Sequence, residues 1–273
     1  MPRSTRVAAL QHCATTDVSA NLDIIEHLGR RARDADAEVI LVPEAFAYIG
    51  PDRGKREILE PLPEGGPILA RCQALARALE CDLVLGGFHE TGPDPEKAYN
   101  TCVHLDARGE IVAVYRKIHL FDVCLDDGTQ LNESSRTAPG DALVTTTLPF
   151  GTLGLTICYD VRFPYQYQGL VDQGAIAIAV PSAFTATTGA AHWHTLLRAR
   201  AIECQCYVIA PAQHGQHNSR RRSFGHSLIV DPWGDVIAEH ADGDGFAVAN
   251  IDPDKVSEVR RQLPSLEHRV SLS

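Results

Sequence analysis

An α/β domain is the fold that the sequence predicts, on three observations. Short and wholly apolar runs, such as 39–42 and 175–180, have the make-up of strands buried on both faces. Between such runs lie segments with apolar residues at helical spacing, for example Leu22, Ile25, Leu28 and Ala32. No Ser/Gly-rich linker and no repeat interrupts the series, so one domain is expected, with two sheets and helices outside them to bury this many apolar strands. The order of the strands is not legible in the pattern.

In chain order, residues 6–11 predict a strand and 21–35 a helix. Strand 39–42 ends at Pro43-Glu44. Gly65-Gly66-Pro67 opens a helix over 68–79, with proline where its missing N–H costs nothing. Residues 82–88 are a buried strand, and 101–105 with 111–115 read as a hairpin around Asp106-Ala107-Arg108-Gly109. Its second strand runs into Arg116-Lys117-Ile118-His119. Residues 119–142 lack periodicity and are rich in Asp, Ser, Thr and Gly, and a loop of that length is usually functional or mobile. Leu153, Leu155 and Ile157 alternate with Thr152, Gly154 and Thr156, the period of a strand. Cys158 follows that strand, and Pro164 suits the first position of the next helix. Helices over 165–172 and 194–205 flank strand 175–180, and 207–210 is another strand. The last third is antiparallel in character: 227–230 and 236–238 flank the turn Asp231-Pro232-Trp233-Gly234, then come strand 246–251, a short helix over 254–262 and a polar tail.

Composition excludes several functions. The formal charge of −10, from 35 acidic and 25 basic residues, argues against a nucleic-acid binder. An anionic small substrate would need a local basic patch, and Arg220-Arg221-Arg222 is one place for it, although such a run is as often a solvated loop. No apolar run approaches the roughly 20 residues that span a bilayer, so no membrane partner is expected. The first residues lead into a strand without the apolar core of an export signal, which predicts a cytoplasmic protein. The eight cysteines include no CxxC pair and are expected to be reduced thiols. None of the twelve histidines has HExxH spacing.

Glu44, Lys117 and Cys158 each stand at the end of an apolar strand, where ligand crevices of parallel sheets gather. A carboxylate, an ammonium and a thiol meeting there make a set for acyl transfer: proton carrier, oxyanion stabiliser and nucleophile. Singly, each has an ordinary reading: a helix cap for Glu44, a solvated strand end for Lys117, a small apolar filler for Cys158. The turn and helix start after Cys158 are expected to favour its thiolate.

The stretches Val42-Pro43-Glu44-Ala45-Phe46, Tyr115-Arg116-Lys117-Ile118-His119-Leu120-Phe121-Asp122 and 154–164 closely resemble those of the nitrilase superfamily of carbon–nitrogen hydrolases. The resemblance implies a single α-β-β-α sandwich over 4–252, a C-terminal helix and tail over 253–273, and homodimers or larger homo-oligomers. It places the family's catalytic Glu, Lys and Cys on Glu44, Lys117 and Cys158. A second family glutamate, which orients the site, falls on Glu133. No metal or organic cofactor is implied.

The later stretches 181–184, 188–193, 197–203 and 205–210 resemble amidases that act on deaminated metabolites. Residues 212–217, Gly225-His226-Ser227 and 231–234 resemble the deaminated-glutathione branch. That branch implies a small-molecule amide substrate, cleaved to 2-oxoglutarate and cysteinylglycine, with Arg221, Gln213 and His217 as substrate contacts and the N–H of Tyr159 in the oxyanion site. His194 departs from relatives, which often carry Glu. Arg162 and Arg198 are expected to pair with acids beneath the site. The competing functions are an omega-amidase acting on 2-oxoglutaramate, an acyltransferase that passes the thioester to an amine, and a non-catalytic binding protein.

Overall fold

The computed structural model describes residues 1–124 and 130–270. Its strands are β1 (Thr5–His12), β2 (Val39–Val42), β3 (Asp82–Thr91), β4 (Ala98–Leu105), β5 (Ile111–Arg116), β6 (Asp122–Cys124), β7 (Gln130–Asn132), β8 (Thr145–Leu148), β9 (Gly151–Leu155), β10 (Ala177–Ala179), β11 (Tyr207–Ala210), β12 (Ala212–Asn218), β13 (Arg221–Phe224), β14 (Ser227–Val230), β15 (Val236–His240) and β16 (Gly245–Ile251). The helices are α1 (Val18–Asp34), α2 (Asp52–Glu57), α3 (Pro67–Leu79), α4 (Pro164–Asp172), α5 (Ala186–Cys204) and α6 (Pro253–Gln262).

One sheet runs β13-β12-β1-β2-β3-β4-β5, with β16 also antiparallel to β1; the other runs β15-β14-β11-β10-β9-β8. Each has a parallel centre, β1-β2-β3 in the first and β9-β10-β11 in the second, and antiparallel flanks. The apolar runs are buried on both faces, as their composition predicts. Val7, Ala9, Val39, Leu41 and Val84 meet Leu153, Leu155 and Ala177 between the sheets. The alternate side chains Ala8, Leu10, Ile40, Val42, Leu83 and Leu85 pack under α1 and α3. Tyr167 and Leu170 of α4 and Trp193 and Leu197 of α5 cover the outer face of the second sheet. The result is the four-layer α-β-β-α sandwich. Local signals set the helix starts: Asp17 Oδ1 accepts from Ala20 N at 3.0 Å, and Pro67 and Pro164 open α3 and α4.

Several regions differ from the sequence-based expectation: β8, β12 and β13 have no counterpart in it, and α5 starts at Ala186 rather than at 194. Residues 119–142 are not one loop: β6 and β7 pair antiparallel and a 3₁₀ turn spans Glu133–Ser135. Three-residue strands are too short to show a period. Residues 125–129 of that expected loop, and 271–273 of the tail, lie outside the described residues. The short helix α2 has no counterpart in the expectation, because DRGKRE carries no apolar face.

The main chain passes close to Pro181 and Glu44 at Gly86-Gly87, where a bulge interrupts the β3–β4 register. A Cβ on Gly86 would stand 2.1 Å from Pro181 Cβ, and one on Gly87 (φ +62°) 2.7 Å from Glu44 Cγ. Pro181 O accepts from Cys158 N at 2.9 Å, so this contact sets the distance between the two halves of the site. Gly86→Ala is expected to cost about 1–3 kcal/mol in urea unfolding, and to lower amidase kcat/KM in the fraction that remains folded.

Candidate active site

Glu44 lies two residues beyond β2, Lys117 directly after β5, and Cys158 three residues beyond β9. The first sheet therefore brings the acid and the amine, and the second brings the thiol. All three are buried and line one cavity of about 290 Å³ together with Glu133.

Lys117 Nζ donates to Glu44 Oε1 at 3.1 Å and to Glu133 Oε2 at 2.9 Å. Asn100 Nδ2 makes the same pair of contacts, 2.9 Å to Glu44 Oε1 and 3.0 Å to Glu133 Oε1. Two more donors fix the acids: Ala183 N reaches Glu44 Oε2 at 2.8 Å, and Phe121 N reaches Glu133 Oε2 at 2.8 Å. Burial works against the charge on Glu44, but the ammonium of Lys117, and Arg221 after it, overcome burial and hold the carboxyl below the usual glutamate value. Burial also opposes the charge on Lys117, yet Glu133 and Glu44 hold its ammonium well above the usual lysine value.

Cys158 begins a 3₁₀ turn, Cys158–Arg162, with φ +46°, and Ala45 beside Glu44 has φ +55°. Non-glycine residues in this region carry backbone strain, which persists only where the surroundings enforce it. The enforcing group at the turn is Asp160, fully buried. Its carboxylate accepts from Ile157 N (2.9 Å), Tyr115 Oη (2.6 Å), His119 N (3.1 Å) and His119 Nδ1 (2.8 Å). One carboxylate thus ties the turn at Cys158 to the segment that carries Lys117. The expected bias toward thiolate is corrected here. Burial first, and the Glu44 carboxylate second, push the thiol far above its ordinary value against the pull of Lys117. The helix whose N-terminus was to favour the thiolate starts only at Pro164. The resting group is a thiol held next to a carboxylate.

Of the remaining expected residues, Arg221 lines the cavity, whereas Arg220 and Arg222 are exposed. Tyr159 sits behind Cys158, its ring against Phe121 (4.8 Å) and Phe163 (5.3 Å). Gln213 and His217 do not line the cavity. Gln213 Nε2 donates to Glu44 O at 3.1 Å, and its Oε1 accepts from Ala14 N at 2.9 Å. His217 Nδ1 donates to Ala14 O and its Nε2 accepts from Ser223 Oγ, both at 2.8 Å. These side chains hold main chain rather than reach the cavity. Arg162 and Arg198 have no acid partner among the described residues. Arg162 lies over the Tyr159 and Phe184 rings, and Arg198 donates to Gly234 O. The arginine under the turn is Arg200, which donates to Val161 O at 2.7 Å and pairs with Glu203.

Sequence reasoning missed three contributors. Asn100 lies in a strand, where an isolated amide carries no signal. Lys55 enters the cavity from α2. Its ammonium is pulled below the usual lysine value by burial, and it has no ion-pair partner among the described residues; neither has Arg221. The third is a set of side chains behind Glu44. Beside Gln213 on Glu44 O, His12 Nε2 donates to Phe46 O (3.0 Å), Asn21 Nδ2 to Ala47 O (2.9 Å) and His89 Nε2 to Tyr48 O (3.0 Å). A potential ion-binding group, His194, His226 and Glu239, lies outside the cavity.

A sandwich whose two sheets bring a carboxylate, an ammonium and a thiol together in one cavity defines a cysteine hydrolase of carbon–nitrogen bonds. The carbon–nitrogen hydrolase family model matches residues 6–261. The deaminated glutathione amidase of Homo sapiens is 44% identical over 268 residues, which cover 96% of this chain and 81% of that protein. The Synechocystis deaminated glutathione amidase is 42% identical over 266 residues, covering 96% and 97%. The crystal structure of the C. elegans NitFhit protein superposes with a TM-score of 0.92 at 37% identity; the match covers 98% of this chain but 65% of that longer one. The chain belongs to the carbon–nitrogen hydrolase family and is an enzyme of its amidase class. No helix among the described residues is long and apolar enough to cross a membrane.

Burial holds His12 at about 4 and His89 at about 3, against an ordinary 6.5, and each has a buried Nδ1 with no acceptor to receive a second proton. The folded values lie below the unfolded one. Their contribution to stability is therefore complete above pH 6.5 and is lost as pH falls toward 4, by about 1.4 kcal/mol per pH unit for each histidine. The urea midpoint should fall over this window, and His89→Gln should flatten the slope.

Proposed function

We propose that this enzyme hydrolyses deaminated glutathione to 2-oxoglutarate and cysteinylglycine through a thioester on Cys158. The observation that carries the substrate reading is the pair of unpartnered cations, Lys55 and Arg221, that face the same cavity as Cys158. Both are partly buried, and a partly desolvated cation with no ion-pair partner among the described residues gains from a ligand anion that meets it. Deaminated glutathione has a carboxylate at each end, one beside its 2-oxo group and one on its terminal glycine. The names of the relatives point the same way.

In the proposed reaction Glu44 takes the thiol proton as Sγ of Cys158 attacks the amide carbonyl. Burial and the neighbouring Glu44 carboxylate disfavour a free thiolate, so proton transfer is proposed to accompany the attack. Lys117 Nζ and the N–H of Tyr159 receive the oxyanion. As the C–N bond breaks, Glu44 returns the proton to the leaving amine, and cysteinylglycine departs. Water then attacks the thioester while Glu44 takes a proton from it, and the thiol is restored as 2-oxoglutarate leaves. Glu133 acts through Lys117: with Asn100 it fixes the ammonium and keeps Glu44 ionised. The reading includes pairing of two copies and a reducing cytoplasmic setting, in keeping with eight cysteines that are all free.

A second reading, hydrolysis of 2-oxoglutaramate, uses the same groups on a substrate with a single carboxylate. Side-by-side kcat/KM values, from cysteinylglycine release and ammonia release, separate the two; a preference for 2-oxoglutaramate would overturn the first. Added amines that divert the acyl group from water would indicate transfer instead.

Cys158→Ala should give no thioester by intact-mass spectrometry and no turnover, and full turnover in that variant would refute the nucleophile. Cys158→Ser should leave little activity, since an alkoxide forms less readily than a thiolate.

Lys55→Met and Arg221→Met should each lower kcat/KM for deaminated glutathione by about 10- to 100-fold, the worth of a charged hydrogen bond. They should change turnover of a neutral amide much less. An equal loss on both substrates would indicate a structural role for these cations.

A further inference from the structure

Away from the cavity, three side chains from separate segments converge. His194 comes from α5, His226 from the link between β13 and β14, and Glu239 from β15. His194 Nε2 lies 3.0 Å and His226 Nδ1 2.6 Å from the same atom, Glu239 Oε1. The potential ligand atoms of the three lie within 4.8 Å of one another. Both imidazole nitrogens turn toward the same carboxylate oxygen, so three ligand-type atoms from three segments are gathered at one spot.

The surroundings fix this geometry. Phe224 stacks on the His226 ring at 4.4 Å and meets the His194 ring edge-on at 6.2 Å. Trp193 Nε1 donates to His226 O at 2.9 Å, which holds the histidine main chain against α5. His226 has φ +60° after Gly225 at +82°. That left-handed conformation is strained for a residue with a Cβ, and with it the imidazole reaches Glu239.

We propose that His194, His226 and Glu239 bind one divalent ion of the zinc class, through Nε2, Nδ1 and a carboxylate oxygen, with a fourth position open to solvent. Two imidazoles and one carboxylate suit zinc, nickel or copper rather than magnesium or calcium. Metal–ligand distances of about 2.0–2.2 Å put tetrahedral ligand atoms roughly 3.3 Å apart. Glu239 needs to retreat from His226 by less than about 1 Å to admit the ion, and its side chain, about one third exposed, has room to do so. The ion ties α5 to the edge of the second sheet. It lies outside the cavity of Cys158, so it acts on stability and not as a participant in hydrolysis.

The test uses the full chain stripped with a chelator. Zinc is titrated by calorimetry, and cobalt(II) is followed by absorption. One zinc per chain is expected, with affinity reduced tenfold or more in His194→Ala and in Glu239→Gln. Zinc should raise the thermal midpoint of the parent protein but not of the variants. Glu239→Gln keeps the side-chain shape, and matching metal-free midpoints and circular dichroism establish that both variants fold. Cobalt should give visible d–d bands without a strong near-ultraviolet thiolate band. Absence of zinc binding, unchanged affinity in either folded variant, or a thiolate-dominated cobalt spectrum that places the ion on cysteine would each overturn the proposal.

Discussion

One ammonium serves two carboxylates. Lys117 is almost fully buried, and its charge is tolerable there only because Glu44 and Glu133 both accept from it. The dependence is mutual. Without Lys117, two acids joined through Asn100 would repel each other and one would take up a proton. Removing Lys117 leaves two buried carboxylates without a counter-charge, a loss of roughly 3–5 kcal/mol. Much of the surrounding structure serves this constraint. The Gly86-Gly87 bulge lets main chain pass close to Glu44, and a row of buried amides and imidazoles holds the carbonyls at 44, 46, 47 and 48. Asp160 keeps the Lys117 segment in register with the turn that carries the sulfur.

The same arrangement separates storage of the proton from its use. A buried thiolate beside the Glu44 carboxylate is disfavoured, so on the proposed mechanism the sulfur keeps its proton until a carbonyl arrives. The electron pair then moves from sulfur toward an oxygen that Lys117 can meet, and the negative charge shifts away from Glu44. On the proposed mechanism, the group that discourages ionisation of the empty site accepts the proton once substrate offers the charge somewhere better to go. This is differential stabilisation, strong in the transition state and weak before it.

The fold was legible in the sequence where burial was two-sided and periodic. The runs at 39–42, 82–88 and 175–180 could be nothing but interior strands, and Pro67 and Pro164 mark helix starts that the structure has. Glu44, Lys117 and Cys158 stood out because polar groups at the ends of such runs are placed by the sheet itself. Legibility failed where a residue acts through three-dimensional neighbours. Lys55 sits in a six-residue polar helix with no apolar face. Asn100 gains its meaning from two acids 56 and 33 positions away. Gln213 and His217 were noticed, but the motif that marks them does not say whether they face a ligand or the backbone behind it. The state of the Cys158 thiol was misjudged for a similar reason: a helix start can be read along the chain, whereas burial and the field of Glu44 cannot.

The first sheet takes β1 to β5 in chain order and adds β12, β13 and β16 from later in the chain. β1, near the N-terminus, is flanked by β12 and by β16, which ends at Ile251. The acid and amine of the site hang from that sheet, and the sulfur hangs from the other. Glu44 and Lys117 hang from strands that pair in chain order, β2 to β5, whereas the sulfur hangs from a sheet wound from later residues. The site is thus a seam between two separately wound sheets: a slip of one on the other would move the sulfur out of reach while leaving the acid and the amine paired.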